Sequence, residues 1–268
     1  MRCLVVALLG ATAMGIVSAS AADLPVTAPP VPFIPPLSWT GFYGGLNAGW
    51  VGSTGNSISN SGTDTGGGGL GTAIAVGAIP TSVDLATNGF IGGAQLGYNW
   101  QANNWVFGLE GDFNGTSANN DTTVGPITVT GYVPQTTTYN RQLSWLATVR
   151  GRIGMTATPA VLIYATGGLA VGQTKLGTAY ICPACSPSSA SQAGTSNSSS
   201  QTQAGWTVGG GVEWMFAPRW SAKAEYLFVD LGNQDTTIAY SYGGNTSTMT
   251  SSIRNQFSVV RAGVNYHF

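Results

Sequence analysis

Residues 205–229 read G-W-T-V-G-G-G-V-E-W-M-F-A-P-R-W-S-A-K-A-E-Y-L-F-V. Apolar side chains fall on every second position. Trp206, Val208, Val212 and Trp214 oppose Thr207 and Glu213; Trp220, Ala222, Ala224, Tyr226 and Phe228 oppose Ser221, Lys223 and Glu225. A period of two marks a β-strand with unlike faces. Between the two runs lie only Ala217 to Arg219, room for a tight turn and nothing more. The stretch therefore predicts a long antiparallel hairpin.

The same pattern recurs along the chain. It predicts strands near Thr40–Gly52, Gly89–Gln101, Trp105–Asn114, Leu143–Thr156, Ala160–Gln173, Gly205–Phe216, Trp220–Val229 and Ser258–Phe268. Ala102–Asn104, Ala157–Pro159 and Ala217–Arg219 are short connections. Ser53–Asn88, Gly115–Gln142, Thr174–Ala204 and Asp230–Gln256 are long ones. Short and long alternate, which is the habit of a transmembrane β-barrel with short periplasmic turns and long extracellular loops. A soluble β-sandwich gives no reason for that regularity. The expectation is an all-β protein, an eight-stranded antiparallel transmembrane barrel. The first long loop, rich in Gly and Ser, is expected to be mobile.

Composition agrees. Charged residues are 7% of the 268, while 43% are hydrophobic and 39 are glycine. A soluble surface carries about 25% charge, and a disordered chain has more net charge and fewer aromatics. A wall that faces lipid needs little charge. A net charge of −1 gives no pull toward nucleic acid.

Three segments are expected. Met1-Arg2, the apolar run Leu4–Val17 and the small residues Ala19 to Ala22 have the order of a secretory signal over 1–22, cut after Ala21 or Ala22. Residues 23–38 are a proline-rich periplasmic linker. Residues 39–268 form the barrel. Both mature ends then lie in the periplasm.

Alternation assigns the candidate sites. Glu110, Asp112, Glu213 and Glu225 face inward with Arg150, Arg152, Lys223 and Arg261. Strand adjacency predicts two groups, one of Glu110, Asp112, Arg150 and Arg152 and one of Glu213, Lys223, Glu225 and Arg261. Acids balancing bases favour a filled lumen over a polar channel. Trp50, Trp100, Trp105, Trp145, Trp206, Trp214 and Trp220 sit at strand ends on the lipid face, where rings favour the headgroup level. Cys182 and Cys185 form a C-x-x-C in a long loop; in an oxidising compartment a small structural disulfide is expected. The one histidine, His267, has no acid near it in the sequence, so neither a zinc site nor a catalytic centre is expected, and no cofactor. The chain stops on an alternating strand with Tyr266 and Phe268, like the C-terminal signal read by the outer-membrane barrel assembly machinery.

The motifs in order are A-A-D-L-P (21–25), W-T-G-F-Y-G-G-L-N-A-G-W (39–50), F-I-G-G-A-Q-L-G-Y-N-W (90–100), W-V-F-G-L-E-G-D-F (105–113), G-W-T-V-G-G-G-V-E-W (205–214), A-K-A-E-Y-L-F-V-D-L (222–231) and R-A-G-V-N-Y-H-F (261–268). In this order the chain resembles the small outer-membrane barrels of alphaproteobacteria, known as porin-like, opacity-type or immunogenic proteins, within the OmpA-like barrel superfamily. The resemblance covers about 21–268. It implies no shared catalytic residue and no added peptidoglycan-binding domain. The expected role is structural: envelope integrity and display of surface loops. A small-solute porin and a loop-mediated adhesin are the alternatives. The expected partners are outer-membrane lipid and lipopolysaccharide, with the assembly machinery and periplasmic chaperones during biogenesis.

Overall fold

The computed structural model describes residues 37–66, 69–183, 194–242 and 244–268. The expected leader, nearly all of the linker, and Cys185 lie outside the described residues. The elements are β1 (Gly41–Ser53), β2 (Ser57–Asp64), α1 (Leu70–Ala75), β3 (Ser82–Asp84), β4 (Asn88–Ala102), β5 (Trp105–Thr116), β6 (Asn119–Ile127), β7 (Gln135–Thr158), β8 (Val161–Ile181), β9 (Gly194–Ala217), β10 (Trp220–Tyr242) and β11 (Asn245–His267).

Eight of these strands close a ring in the order β1-β4-β5-β7-β8-β9-β10-β11, and β11 pairs back onto β1 from Tyr43↔His267 to Ser53↔Phe257. All pairings are antiparallel. Closure removes the sheet edge, which lipid could not hydrogen-bond. The three connections at one end of the ring are tight: Asn103-Asn104, Pro159-Ala160 and Pro218-Arg219. Asn103 takes φ 54°, the left-handed conformation that Asn tolerates in a hairpin turn.

The exposed face carries an apolar band bounded by aromatic rings. At one boundary Trp50 packs on Phe90 (4.9 Å between centroids), Phe113 on Trp145 (5.7 Å) and Trp206 on Phe228 (5.6 Å). At the turn end Trp100 meets Phe107, Trp214 meets Phe216, and Trp220 meets Tyr266. Eight residues separate Trp105 from Phe113 and ten separate Phe90 from Trp100. At about 3.4 Å per residue and a tilt of about 40°, the band is roughly 21–26 Å tall, close to the ~25 Å expected of an outer-membrane barrel.

The opposite end corrects the sequence reading. The four long connections are largely not loops. β7, β8, β9, β10 and β11 run 24, 21, 24, 23 and 23 residues, well past the band. The Gly- and Ser-rich stretch expected to be mobile instead supplies β2, α1 and β3, with Ile58, Leu70, Ile79 and Leu85 fully buried. Beyond the band the ring divides into two half-sheets, β6-β7-β8-β9 and β10-β11-β2-β3. The β9–β10 ladder ends at Asp230↔Trp206 among the described residues. Above it, side chains close the seam. Asn197 Nδ2 donates to Thr237 O (2.8 Å), Gln203 Nε2 to Asn233 O (2.6 Å) and Gln234 Nε2 to Ser199 O (3.0 Å).

Candidate functional site: the barrel lumen

Inward side chains fill the described barrel in layers. Nearest the turns lie Trp39, Val106, Leu162, Tyr164 and Met215. Trp39 is fully buried and donates its Nε1–H to Pro159 O at 3.2 Å. Sequence reading placed Trp39 at the barrel boundary and gave it no role, because it stands outside any alternating strand.

The charges form the next layer. All eight candidates are at most 7% exposed. They make one network, and the two separate groups expected from strand adjacency are thereby corrected. Arg150 bridges the supposed groups: Nη2 lies 2.5 Å from Glu110 Oε1 and 3.0 Å from Asp112 Oδ2, while Nη1 reaches Glu225 Oε1 at 2.9 Å. Lys223 Nζ reaches Glu110 at 2.9 Å, Arg261 reaches Asp112 at 3.0 Å and Glu225 at 2.7 Å, and Arg152 reaches Glu213 at 2.7 Å. Adjacency along the wall missed this because the lumen is narrow enough for long side chains to cross it. Strand neighbours are one set of contacts and diametric neighbours another.

Uncharged residues complete the network. Tyr43 Oη donates to Glu110 Oε2 at 2.7 Å, Tyr164 Oη to Glu225 Oε1 at 3.1 Å, and Thr148 Oγ1 to Asp112 Oδ2 at 2.6 Å. The Arg152 guanidinium sits 4.1 Å from the Tyr164 ring centroid. Two glycines make the room. A Cβ at Gly97 would stand 2.4 Å from the Tyr43 phenol carbon, and one at Gly211 would stand 2.8 Å from Tyr164 Oη. The bare Gly-rich inward positions were the available signal for these tyrosines.

His267 also departs from expectation. Its Nε2 is 2.9 Å from Ser221 Oγ and 3.7 Å from Glu213 Oε1, so an acid and a hydroxyl do adjoin it. They come from β9 and β10, neighbours in space and not in sequence. The arrangement is not that of a nucleophile relay. Ser221 is fully buried and donates to Glu213 at 2.6 Å, and the carboxylate approaches the same imidazole nitrogen as the hydroxyl. A relay needs the acid on the opposite nitrogen, behind the base.

Above the charges lies an apolar layer of Val51, Ile91, Ala118, Leu143, Leu146, Ala170, Leu227, Val229, Leu231, Phe257 and Val259. Phe257, Leu143, Val229 and Val259 are at most 1% exposed. Next comes Arg141, buried with no carboxylate among the described residues. It donates to Gly55 O (2.9 Å) and Asn255 Oδ1 (3.1 Å) and lies 5.0 Å from the Phe257 ring centroid. Burial pushes its pKa down to about 10. Two further apolar clusters follow, one around Ile58, Tyr139, Leu176 and Ile253, the other around α1, Tyr180, Ile238 and Met249. Cys182 is fully buried in the second of these and is disulfide-bonded.

The profile of the outer membrane protein beta-barrel domain matches residues 9–268. The chain belongs to this family. Among family relatives, the 31 kDa outer-membrane immunogenic protein of Brucella melitensis biotype 1 is 34% identical over 96% of each chain. The 22 kDa outer membrane protein of Rhizobium leguminosarum bv. viciae is 29% identical over 57% of each. Among solved structures, the outer membrane protein OprG from Pseudomonas aeruginosa aligns with 85% of this chain and 97% of its own, at 13% identity and a TM-score of 0.45. The chain is thus an outer-membrane β-barrel protein, as the sequence motifs implied, and its apolar band contacts outer-membrane lipid.

Proposed function

We propose that this barrel is a closed structural element of the outer membrane, with its tight turns and both mature ends in the periplasm and its extended end at the cell surface. The observation that carries the reading is the unbroken stack of buried layers, above all the eleven-residue apolar layer over the charge network. An ion leaving the charged layer would have to shed water against Leu143, Leu146 and Phe257, at a cost of many kcal/mol in a low-dielectric medium. The paired charges act as a plug that fixes strand register. No catalytic role is assigned, since the Ser221–His267–Glu213 contact is sealed and of the wrong geometry.

Further features fit this reading. The seven tryptophans serve as interfacial anchors. Cys182 pairs with Cys185 to pin the β8–β9 connection. Tyr266 and the exposed terminal Phe268, 5.3 Å apart, present the recognition strand for the barrel assembly machinery, which periplasmic chaperones deliver. The deciding experiment is a planar bilayer recording of the purified protein. Silence is expected; steady unitary current steps would replace the plug with a pore.

A further inference from the structure

The cations buried in the described barrel are Arg141, Arg150, Arg152, Lys223 and Arg261. All but Arg141 touch a carboxylate. Arg141 is 1% exposed, and its acceptors are the backbone carbonyls of Gly55 and Arg254 and the Asn255 amide oxygen. Its Nε–H has no partner among the described residues. Asp230, on the neighbouring β10, is already engaged by Arg254, Gln256 and the Gly232 N–H. A buried charge without a counter-charge is strongly disfavoured. Arg141 is thus the cation in this lumen whose charge is open to an anion from outside.

What adjoins it is an acceptor position filled by neutral groups. Asn255, whose Oδ1 accepts from Arg141 Nη2 at 3.1 Å, turns its Nδ2 to Gln203 Oε1 (2.7 Å) and Gln234 Oε1 (3.2 Å). Thr174 Oγ1 stands 3.2 Å and 2.7 Å from the same two oxygens. Two donors therefore converge on a pair of amide oxygens, with a guanidinium behind them. Donors set beside a cation in this way suit a carboxylate better than a neutral amide.

The position also opens onto water. Thr174, Gln234 and Asn255 are at most 1% exposed, whereas Gln203 is half-buried. Gln203 stands in the seam, three residues beyond Trp206, where the β9–β10 ladder ends, and its Nε2 donates to Asn233 O at 2.6 Å. Its backbone is held by the β8 ladder, so the side chain can rotate outward without breaking a backbone pair. The apolar layer around Leu146 and Phe257 lies between Arg141 and the charge network, so a solute entering by the seam reaches Arg141 and stops.

We infer that Gln203 is the door of a binding site for a small monocarboxylate such as acetate. The carboxylate displaces the Gln203 amide oxygen, accepts from Asn255 Nδ2 and Thr174 Oγ1, and neutralises Arg141. The displaced group is one carboxamide, planar like a carboxylate, which sets the size to a short acid. The site lies outside the seal of the closed barrel and is independent of which way the extended end faces.

The test is NMR of the full folded barrel in detergent, following the arginine Nε–H signals as sodium acetate replaces sodium chloride at constant ionic strength and neutral pH. The Arg141 signal, identified by its loss in Arg141→Lys, should shift and saturate while those of Arg150, Arg152 and Arg261 hold still. Gln203→Ala, which removes the competing oxygen, should tighten acetate about five-fold, the equivalent of one lost hydrogen bond of about 1 kcal/mol. Gln203→Glu, which supplies a tethered carboxylate, should bring the signal near its acetate-bound position with no acetate present and abolish the titration. Each variant is checked for the heat-dependent gel shift of a folded barrel; if Arg141→Lys fails it, the Gln203→Glu shift identifies the signal. A wild-type signal that stays put as acetate replaces chloride would overturn the site, and an equal shift with nitrate would overturn the carboxylate. Gln203 variants that titrate like wild type would overturn the door. None of these outcomes touches the seal, which is read by bilayer recording.

Discussion

Glu110 and Arg150 face each other directly across the β5–β7 ladder, and their side chains meet 2.5 Å apart in the centre of the lumen. Arg150 also holds Asp112 and Glu225. Its removal would strand three buried carboxylates with fewer cations. Breaking such a pair from one side costs about 3–5 kcal/mol. Arg150→Ala should therefore unfold at a markedly lower temperature in the gel-shift assay, and Arg150→Lys should recover only part of the loss, since an ammonium cannot fork to three acids. A variant as heat-resistant as wild type would show the network to be dispensable.

Gly97 predicts a steric effect of a different kind. Alanine there drives a methyl into the Tyr43 ring, and overpacking of this sort costs about 1–3 kcal/mol. Gly97→Ala should destabilise the barrel, while Gly97→Ala with Tyr43→Leu should be less impaired than the two single losses summed. A double-mutant cycle with no coupling would mean the ring moves aside freely.

Legibility in the sequence divides at the outer aromatic boundary. Inside the band every outward residue is apolar and most inward ones are polar, so Phe107, Leu109 and Phe113 against Glu110 and Asp112 give their faces away. Beyond it the contrast fades: on β11, Thr248, Thr250 and Ser252 point out while Ser247 and Ser251 point in. Two irregularities also hide the continuation. β7 shifts register between Leu143 and Trp145, and β10 between Asp230 and Asn233, where Gly232 takes φ 83°. Each reverses which parity faces inward, so a strict two-residue count stops there. The lumen's cross-barrel contacts were hidden for a separate reason: adjacency says nothing about which side chains meet across a diameter.

Asp64 anchors α1 from a neighbouring strand. Oδ1 accepts from Gly71 N–H (3.0 Å) and Ser247 Oγ (2.6 Å), and Oδ2 from Thr72 N–H and Oγ1 (2.7 Å each). Burial works to raise its pKa, but these hydrogen bonds outweigh it and hold the carboxyl below the usual aspartate range. A depressed folded pKa stabilises above the unfolded value, near 4, and that support fades as pH falls through the folded value. Asp64→Ala should cost about 1 kcal/mol of local stability, as for a lost helix cap. Hydrogen exchange at Gly71 and Thr72, corrected for intrinsic pH dependence, should quicken in the variant at pH 7. The difference from wild type should shrink at strongly acidic pH. A pH-independent difference would mean the carboxylate charge is irrelevant.

The apolar layer makes a prediction about conduction. Leu146→Ser with Phe257→Ser removes only one of the stacked layers and should admit water beside Arg141 without steady conductance, and Arg150→Met, which empties charge but leaves the apolar layer intact, should likewise stay silent. Current from the Arg150 variant alone would place the seal in the charged layer instead.

Strand alternation above the membrane boundary separates two kinds of change. On β9, the side chains of Ser196, Ser198, Ser200 and Thr202 touch solvent, whereas those of Asn197 and Gln203 reach across the seam to β10. With the extended end at the cell surface, as proposed, a lineage can rewrite the serines and threonine of this wall, and with them the face turned outward, while leaving untouched Asn197 and Gln203, which hold the wall to its neighbour.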